Sequence, residues 1–553
     1  MTTLLTDNLP LLAGASNGIK KLRELILELA VRGKLLPQDA NDEAASELLK
    51  RIAKEKALLE VAGQIRKQKP LPNITEEDQP FELPAGWVWT HLADIAFSQA
   101  GFAFKSNGFN QAGLGLPLIR IRDVGQAFSG TYYEGDYRPE FLVQRGDYLI
   151  SMDGEFRVAA WEGDASLLNQ RVSRLVFFGT ETTRRFIAVS LQARLLELQG
   201  IKSYTTVDHL SGGQISESVI ALPPLAEQHR IVAKVDELMA LCDRLETQQA
   251  DAASAHAQLV QALLGSLTQA SDATEFAANW QRLAEHFHTL FSTEPSIDAL
   301  KQTLLQLAVM GKLVPQDPDE EPASELLKRI AVEKARLVAV GKIKKQKPQT
   351  AIAKDEVPFN LPHGWHWARL GEAGISATGK TPSTNNPKFF GGELPFMGPG
   401  QINVLGEISD PDKWLTELAR EETSVAEPND LLMVCIGGSI GKCAIADREM
   451  AFNQQINSIR PLLANHRYVF NAVSSPIFRA SVWAAATGTA TPIINRSKWD
   501  DLLISIPPLP EQQRIVAKID QLMALCDQLK TQLSHARQLN EQLASTLVEQ
   551  AVA

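Results

Sequence analysis

Four cysteines in 553 residues are too few for a disulfide framework, so reduced thiols in a cytoplasmic protein are the expectation. No apolar run approaches the ~18 residues that cross a bilayer. The first twenty residues lack the basic start and apolar stretch of a secretory signal. Positive charge is short as well: 55 Lys and Arg stand against 65 Asp and Glu, a net charge of −10. Binding to a polyanion through bulk charge is therefore excluded, and any nucleic-acid contact must come from local features or a basic companion. At 44% hydrophobic and 22% charged residues the chain is not dominated by disorder. Its length predicts three to five units rather than one core.

What the chain does have is a long internal repeat. Ala30–Asp39 recurs as Ala308–Asp317, an offset of 278, and at that offset Ser46–Ala53 becomes Ser324–Ala331 and Lys67–Pro70 becomes Lys345–Pro348. Phe81–Trp89 recurs as Phe359–Trp367. Pro223–Lys234 matches Pro507–Lys518 at an offset of 284. The flanks match while the middles drift apart. Each copy reads as a helical segment, a divergent globular segment and a long helix.

Helical spacing and terminators predict helices over 19–32, ended by Gly33 and Pro37, and over 42–62, followed by a basic, proline-marked linker at 66–80. Residues 87–222 and 365–506 carry glycine, aromatics and short β-branched runs, which predicts mixed α/β segments with substantial sheet. From Ile231 and from Ile515 apolar residues recur with alternating 4–3 spacing, ending on Leu259 and Leu263 and on Leu543 and Leu547. Such heptads predict rods that pair antiparallel as a coiled coil and hold two unlike domains at a fixed distance. The expected architecture is α+β: two mixed α/β domains joined by a long antiparallel helical coiled coil in a pseudo-two-fold repeat. The expected boundaries are 1–80 (helical region and linker), 81–222 (first divergent domain), 223–358 (central repeat region), 359–506 (second divergent domain) and 507–553 (closing helix).

Catalytic and metal motifs fail one by one. Gly374–Thr381 fits the phosphate-loop pattern letter for letter, but Pro382 and Pro387 leave no room for the helix that must follow. A glycine-bearing loop is the expectation. Leu222-Pro-Pro-Leu225 and Ile506-Pro-Pro-Leu509 cannot replace the polar and aromatic groups of an adenine-methylating loop, and read as starts of the long helices. His286 and His288 sit two apart on a helix, hence on different faces. His363 and His366 lack nearby cysteines, and Cys435 and Cys443 lack matching histidines. Cys242 and Cys526 occupy equivalent seam positions as buried thiols. No catalytic residue and no metal site is expected.

Contact candidates remain in the divergent domains. Ten of the twelve basic residues in 87–222 are arginine, the side chain that reads guanine edges. Arg120 and Arg122 alternate on an expected strand and would project from one face, with a salt-bridged surface strand as the equally weighted alternative. Asn169, Gln170 and Arg171 align with Asn453 and Gln454, whose amides suit adenine or else brace a loop. Arg157, Lys442, Gln401 and Asn403 are expected contacts because nothing in the sequence gives them a structural task. Lys380, Thr381, Ser383 and Thr489 lie in polar, glycine-flexed loops of the same kind.

The duplicated Pro-Pro-Leu-x-Glu-Gln-x-Arg-Ile-Val-Ala-Lys at 223–234 and 507–518 and the paired Leu-Pro-x-Gly-Trp at 83–87 and 361–365 resemble the specificity subunits of type I restriction–modification enzymes. Gly-Asp-Tyr-Leu-Ile at 146–150 and Gly-Lys-Thr-Pro-Ser at 379–383 are similar to segments of that family's recognition domains. The helical pairs at 19–62 and 297–341 resemble the variant with extended conserved regions. The resemblance implies a chain with no catalytic centre. It implies two target recognition domains that each read half of a split, asymmetric site on double-stranded DNA, with the coiled coil as the ruler. It further implies two adenine methyltransferase subunits docked on the helical regions, for which Ile231, Leu238, Ile515 and Leu522 are the expected partner-binding residues, and an ATP-dependent restriction subunit that translocates and cleaves. No cofactor is expected on this chain, and S-adenosylmethionine, ATP and Mg²⁺ would serve the partners. Two other readings stay open: a phosphate-loop ATPase or nuclease in 365–506, and a coiled-coil adaptor that binds proteins alone.

Overall fold

The computed structural model describes residues 12, 14, 15, 17–65, 67, 70–179, 183–201, 210–344, 349–488 and 491–552, with backbone alone for 198–201 and 551–552. It divides into two compact units, residues 1–252 with 536–553, and residues 253–535.

Unit 1 opens with α1 (Gly18–Val31), which buries Ile19, Leu22, Leu25, Ile26 and Leu29 at helical spacing. Its exit needs Gly33: φ is +67°, and a Cβ would sit 2.5 Å from Pro84 Cγ. Helix α2 (Ala45–Val61) buries Leu48 and Ile52. Strand β1 (Val88–His91) opens the divergent segment and pairs antiparallel with β11 (Val219–Leu222), which closes it. Between them lies a four-stranded antiparallel sheet in the order β2 (Ala96–Ala100), β10 (Val172–Phe177), β7 (Tyr148–Ser151), β8 (Val158–Ala160). The second sheet runs β3 (Phe109–Asn110), β5 (Tyr132–Tyr133), β4 (Leu116–Ile119), β9 (Ser166–Leu168), β6 (Leu142–Val143), with β4 and β9 parallel. Helix α3 (Arg184–Ile201) packs Phe186, Ile187, Leu191 and Leu195 into the core shared with α1.

Unit 2 repeats this path. Helices α5 (Glu294–Val309) and α6 (Ala323–Ala339) answer α1 and α2. Strand β12 (His366–Arg369) pairs with β21 (Leu503–Ile506). The next sheet is β13 (Gly374–Thr378), β20 (Ile456–Pro461), β17 (Leu431–Val434), β18 (Cys443–Ile445). The last is β15 (Lys413–Leu415), β14 (Phe390–Met397), β19 (Met450–Phe452), β16 (Ser424–Ala426), with β14 and β19 parallel. Helix α7 (His466–Ser474) takes the place of α3. Registers match to the residue: Ile119 faces Leu168 as Met397 faces Phe452, at offsets of 278 and 284. Segments that share little sequence share one frame.

The long helices α4 (Leu225–Gln269) and α8 (Leu509–Val552) each begin in one unit and end in the other. In unit 1, Ala544, Leu547 and Val548 from the end of α8 join a core with α1 and with Ile231, Val235, Leu238 and Cys242 from the start of α4. In unit 2, Val260, Leu264 and Leu267 from the end of α4 join Ile297, Leu300 and Leu304 of α5 and Cys526 of α8. Ion pairs recur at equivalent places: Arg23 with Asp243 at 2.6 Å in unit 1, Lys301 with Asp527 in unit 2.

The expected seam is corrected past the first heptads. Leu259 and Leu543 are exposed, at 53% and 51%, while Val260 and Ala544 are buried. Residues 246–255 expose every side chain. From Cys242 to Val260 and from Cys526 to Ala544 is 18 residues, five turns of a straight helix at 3.6 per turn. A strict seven-residue count drifts off that face by about 20° per heptad, about half a residue over this span, and its alternating 4–3 steps then land 17 residues on instead of 18.

Candidate nucleic-acid interface

Three turns meet at the same edge of the frame in each unit. The first follows β2 and β13. Gly101 N–H donates to Val172 at 2.9 Å and Phe102 N–H to Leu168 at 2.9 Å; Gly379 and Lys380 do the same to Ile456 and Phe452, each at 3.0 Å. The crossing is so close that a Cβ on Gly101 would lie 2.1 Å from the Asn169 carbonyl oxygen, and one on Gly379 1.9 Å from that of Asn453. Only glycine fits. The phosphate-loop lookalike is thus strand β13 plus this crossing, not a loop before a helix. Lys380 pairs with Glu422 at 3.0 Å, and Thr381 Oγ1 donates to Gln454 Oε1 at 2.6 Å.

The second turn is the matched Asn-Gln pair. Asn169 Oδ1 accepts from Gln170 N–H at 2.9 Å; Asn453 Oδ1 accepts from Gln455 N–H at 3.0 Å, and its Nδ2 donates to Gln455 Oε1 at 3.2 Å. Both asparagines brace their own turns. Gln170 and Gln454 are exposed. Arg171 is held by Asp153, a buried carboxylate.

The third turn follows β4 and β14, and it overturns one expectation. Arg120 and Arg122 do not alternate on a strand. The strand stops at Ile119 because Asp123 Oδ2 accepts from Arg120 N–H at 2.8 Å and winds Ile121–Asp123 into a 3₁₀ turn. Arg122 turns back to Ser129 Oγ at 3.0 Å and Thr131 Oγ1 at 3.4 Å. In unit 2 the same job falls to Gln401, whose Oε1 accepts from Gly398 N–H at 2.9 Å. Asn403 folds the next loop, accepting from Leu405 and Glu407 N–H at 2.9 and 3.0 Å and donating to Glu407 at 2.7 Å. Gln401 and Asn403 therefore have structural tasks after all. The cap Asp123 was legible only as an acid four residues beyond a strand end.

In unit 1 these turns bring Arg120, Asn169, Gln170 and Arg171 into one cleft of about 340 Å³, with Phe104 and Phe109. In unit 2 they bring together Lys380, Thr381 and Gln454, with Ser383 exposed close by in sequence. Arg157 pairs with Glu155 within its own hairpin, and Lys442 sits half-buried on the β17–β18 turn. Thr489 lies outside the described residues. Among the described residues no group of three His, Cys, Asp or Glu could hold a metal, and no helix is long and apolar enough to cross a membrane.

The expected partner-binding residues need correction. Ile231, Leu238 and Ile515 are buried within the fold at 1%, 4% and 0% exposure, and Leu522 packs half-buried on the α5 core. Helix starts turn inward because they anchor the divergent segments. Glu227 accepts from Trp87 Nε1 at 3.0 Å and from Gln38 at 3.4 Å, and Glu511 from Trp365 at 2.9 Å and Gln316 at 3.2 Å. Burial pushes both carboxyls above the ordinary glutamate range, against those hydrogen bonds. Gln228 accepts from Thr183 N–H at 3.1 Å and Gln512 from Asn465 N–H at 2.8 Å, which seats α3 and α7. Arg230 pairs with Asp42, and Arg514 with Glu320. The duplicated Glu-Gln-x-Arg is therefore a joint, where the sequence alone marked a repeated helix start.

A family model described as the type I restriction modification DNA specificity domain matches residues 84–253 and 362–536. The chain is similar to the type I restriction enzyme EcoAI specificity subunit of Escherichia coli, at 38% identity over 97% of this chain and 94% of that one. It is 37% identical to the EcoEI specificity subunit of the same organism, over 97% and 94%. A chain solved in a study of type I R-M complex assembly and conformational transition is similar at 18% identity and a TM-score of 0.49, over 86% of this chain and 99% of that one.

Proposed function

Because the chain belongs to the type I restriction–modification DNA specificity family, we propose that its two sheet-rich segments each read one half of a bipartite, asymmetric site on double-stranded DNA. It is the specificity subunit of a multi-subunit enzyme and carries no catalytic centre. The observation that carries the bipartite reading is the doubled frame: equal registers present Arg120-Ile-Arg122 in one unit and Gly398-Pro-Gly400 in the other, beside a matched Asn-Gln turn that continues as Arg171 in one and Gln455 in the other. Phosphate contacts position a reader, and sequence is read by side chains on base edges, so a constant frame with variable turns suits two different half-sites. Helices α4 and α8 set the unread gap. Two adenine methyltransferase subunits dock on the repeated helical regions and a restriction subunit joins them, in the cytoplasm. S-adenosylmethionine, ATP and Mg²⁺ serve those partners, whose charge also offsets the net −10 of this chain.

The test is a swap. Replacing residues 81–222 by the matching segment of a relative, in a complex with the methyltransferase, is expected to change one half of the methylated motif and leave the other half and the gap intact. An unchanged motif, read by mapping methylated adenines across a genome, overturns the proposal.

A further inference from the structure

Of the ten arginines in 87–222, six are tied to carboxylates: Arg138, Arg157, Arg171, Arg174, Arg185 and Arg194. Arg145 donates to the Glu162 carbonyl at 2.8 Å, Arg184 lies over Phe177, and Arg122 is held by two hydroxyls. Arg120 differs. Its guanidinium has no hydrogen-bond or ion-pair partner among the described residues, although its backbone is fixed by the buried Asp123. It is half-buried in the cleft beside Gln170, Asn169, Ser106 and two phenylalanines. The remaining charged lining residue, Arg171, is already neutralised by Asp153. A rigidly mounted, unpaired guanidinium in a concave site without a free carboxylate asks for a planar pair of acceptors.

We propose that Arg120 reads a guanine, through its O6 and N7, in the half-site assigned above to residues 81–222. Arginine's fork matches those two acceptors, and the neighbouring Gln170 amide supplies the uncharged donors and acceptors that a base edge meets and a phosphate does not require. The equivalent position in unit 2 is Gly398, at the same register after the parallel strand pair. That turn therefore makes no such contact, and this arginine–guanine contact belongs to one half-site alone.

The assignment rests on the proposed function, and the experiment separates the two. Arg120→Ala and Arg120→Gln are placed in the full chain within its methyltransferase complex, and methylated adenines are mapped together with binding at several salt concentrations. Expected is a loss of discrimination of about 10- to 100-fold at one guanine of one half-site, with the other half unchanged, and a shift of base preference there for the glutamine variant. A uniform loss over all sequences, with a salt slope lowered by about 1, would make Arg120 a phosphate contact and overturn the assignment. So would unaltered methylation by both variants. If the 81–222 swap still changes that half-site, the recognition reading survives the loss of Arg120; if the swap too is silent, both fall. Unchanged melting temperatures confirm that neither variant acts through folding.

Discussion

The two recognition segments differ least where their sequences are hardest to align by eye and most where a reader of DNA would need them to. Apart from the extra edge strand β3, strand order coincides, as do the parallel pair and the glycine crossing, yet the turn after that pair carries Arg120-Ile-Arg122 in one and Gly398-Pro-Gly400 in the other. Even the cap of that turn changes identity, aspartate against glutamine, while keeping its bond to the backbone three residues upstream. Five of the six extra residues of the second copy enter between the parallel strand and the edge strand, where the offset rises from 278 at Met397 to 283 at Ala426. Backbone is kept and surface is varied, which is the division of labour expected of loops on a rigid scaffold.

The sharpest way to break this equivalence is to fill the crossing. Gly379→Ala and Gly101→Ala each drive a methyl into a backbone carbonyl, and each is expected to cost about 4 kcal/mol or more in denaturant unfolding. Lys380→Ala, which removes an exposed ion pair with Glu422, should stay within about 0.5 kcal/mol. The opposite ranking, or a nucleotide-binding defect in Lys380→Ala, would restore the phosphate-loop reading.

Much of this was legible in the chain. Repetition marked the two copies, Gly33 marked the end of the first helix, and the prolines beside Lys380 argued against a phosphate loop. Side-chain tasks were less visible. Gln401 looked free because its partner is the backbone of Gly398, and no residue type announces a cap on a 3₁₀ turn. Periodicity marked Ile231 and Leu238 as an apolar seam, and the resemblance assigned them to a partner, because an apolar face does not say what covers it. The rods showed the same limit. Counting sevens works from Ile231 to Cys242 and then selects Leu259, one residue short of the buried Val260.

That last point gives a second test, of about 3 kcal/mol. Leu264→Ala empties a position in the α4–α5–α8 core and should destabilise unit 2 by that amount, whereas Leu259→Ala should change little. Comparable losses for both variants would mean that the heptad register holds along the whole rod.

The smallest expected effect concerns the joint that both units share. Glu227 and Glu511 are carboxyls whose folded-state pKa is raised, chiefly by burial. A raised acid binds its proton more tightly folded than unfolded, so its contribution to stability is full below the ordinary glutamate value of about 4.3 and is lost as pH rises through the folded value. The double substitution Glu227→Gln with Glu511→Gln keeps an acceptor for each indole N–H and removes the titration. All other groups cancel in the difference between the two proteins. Melting temperatures measured from pH 7 down to pH 4 should therefore show the wild type gaining on the variant as acid is added. A gap that stays constant, or one that closes from the other side, would mean that the tryptophan and glutamine donors outweigh burial and that both glutamates are held charged at the base of the long helices.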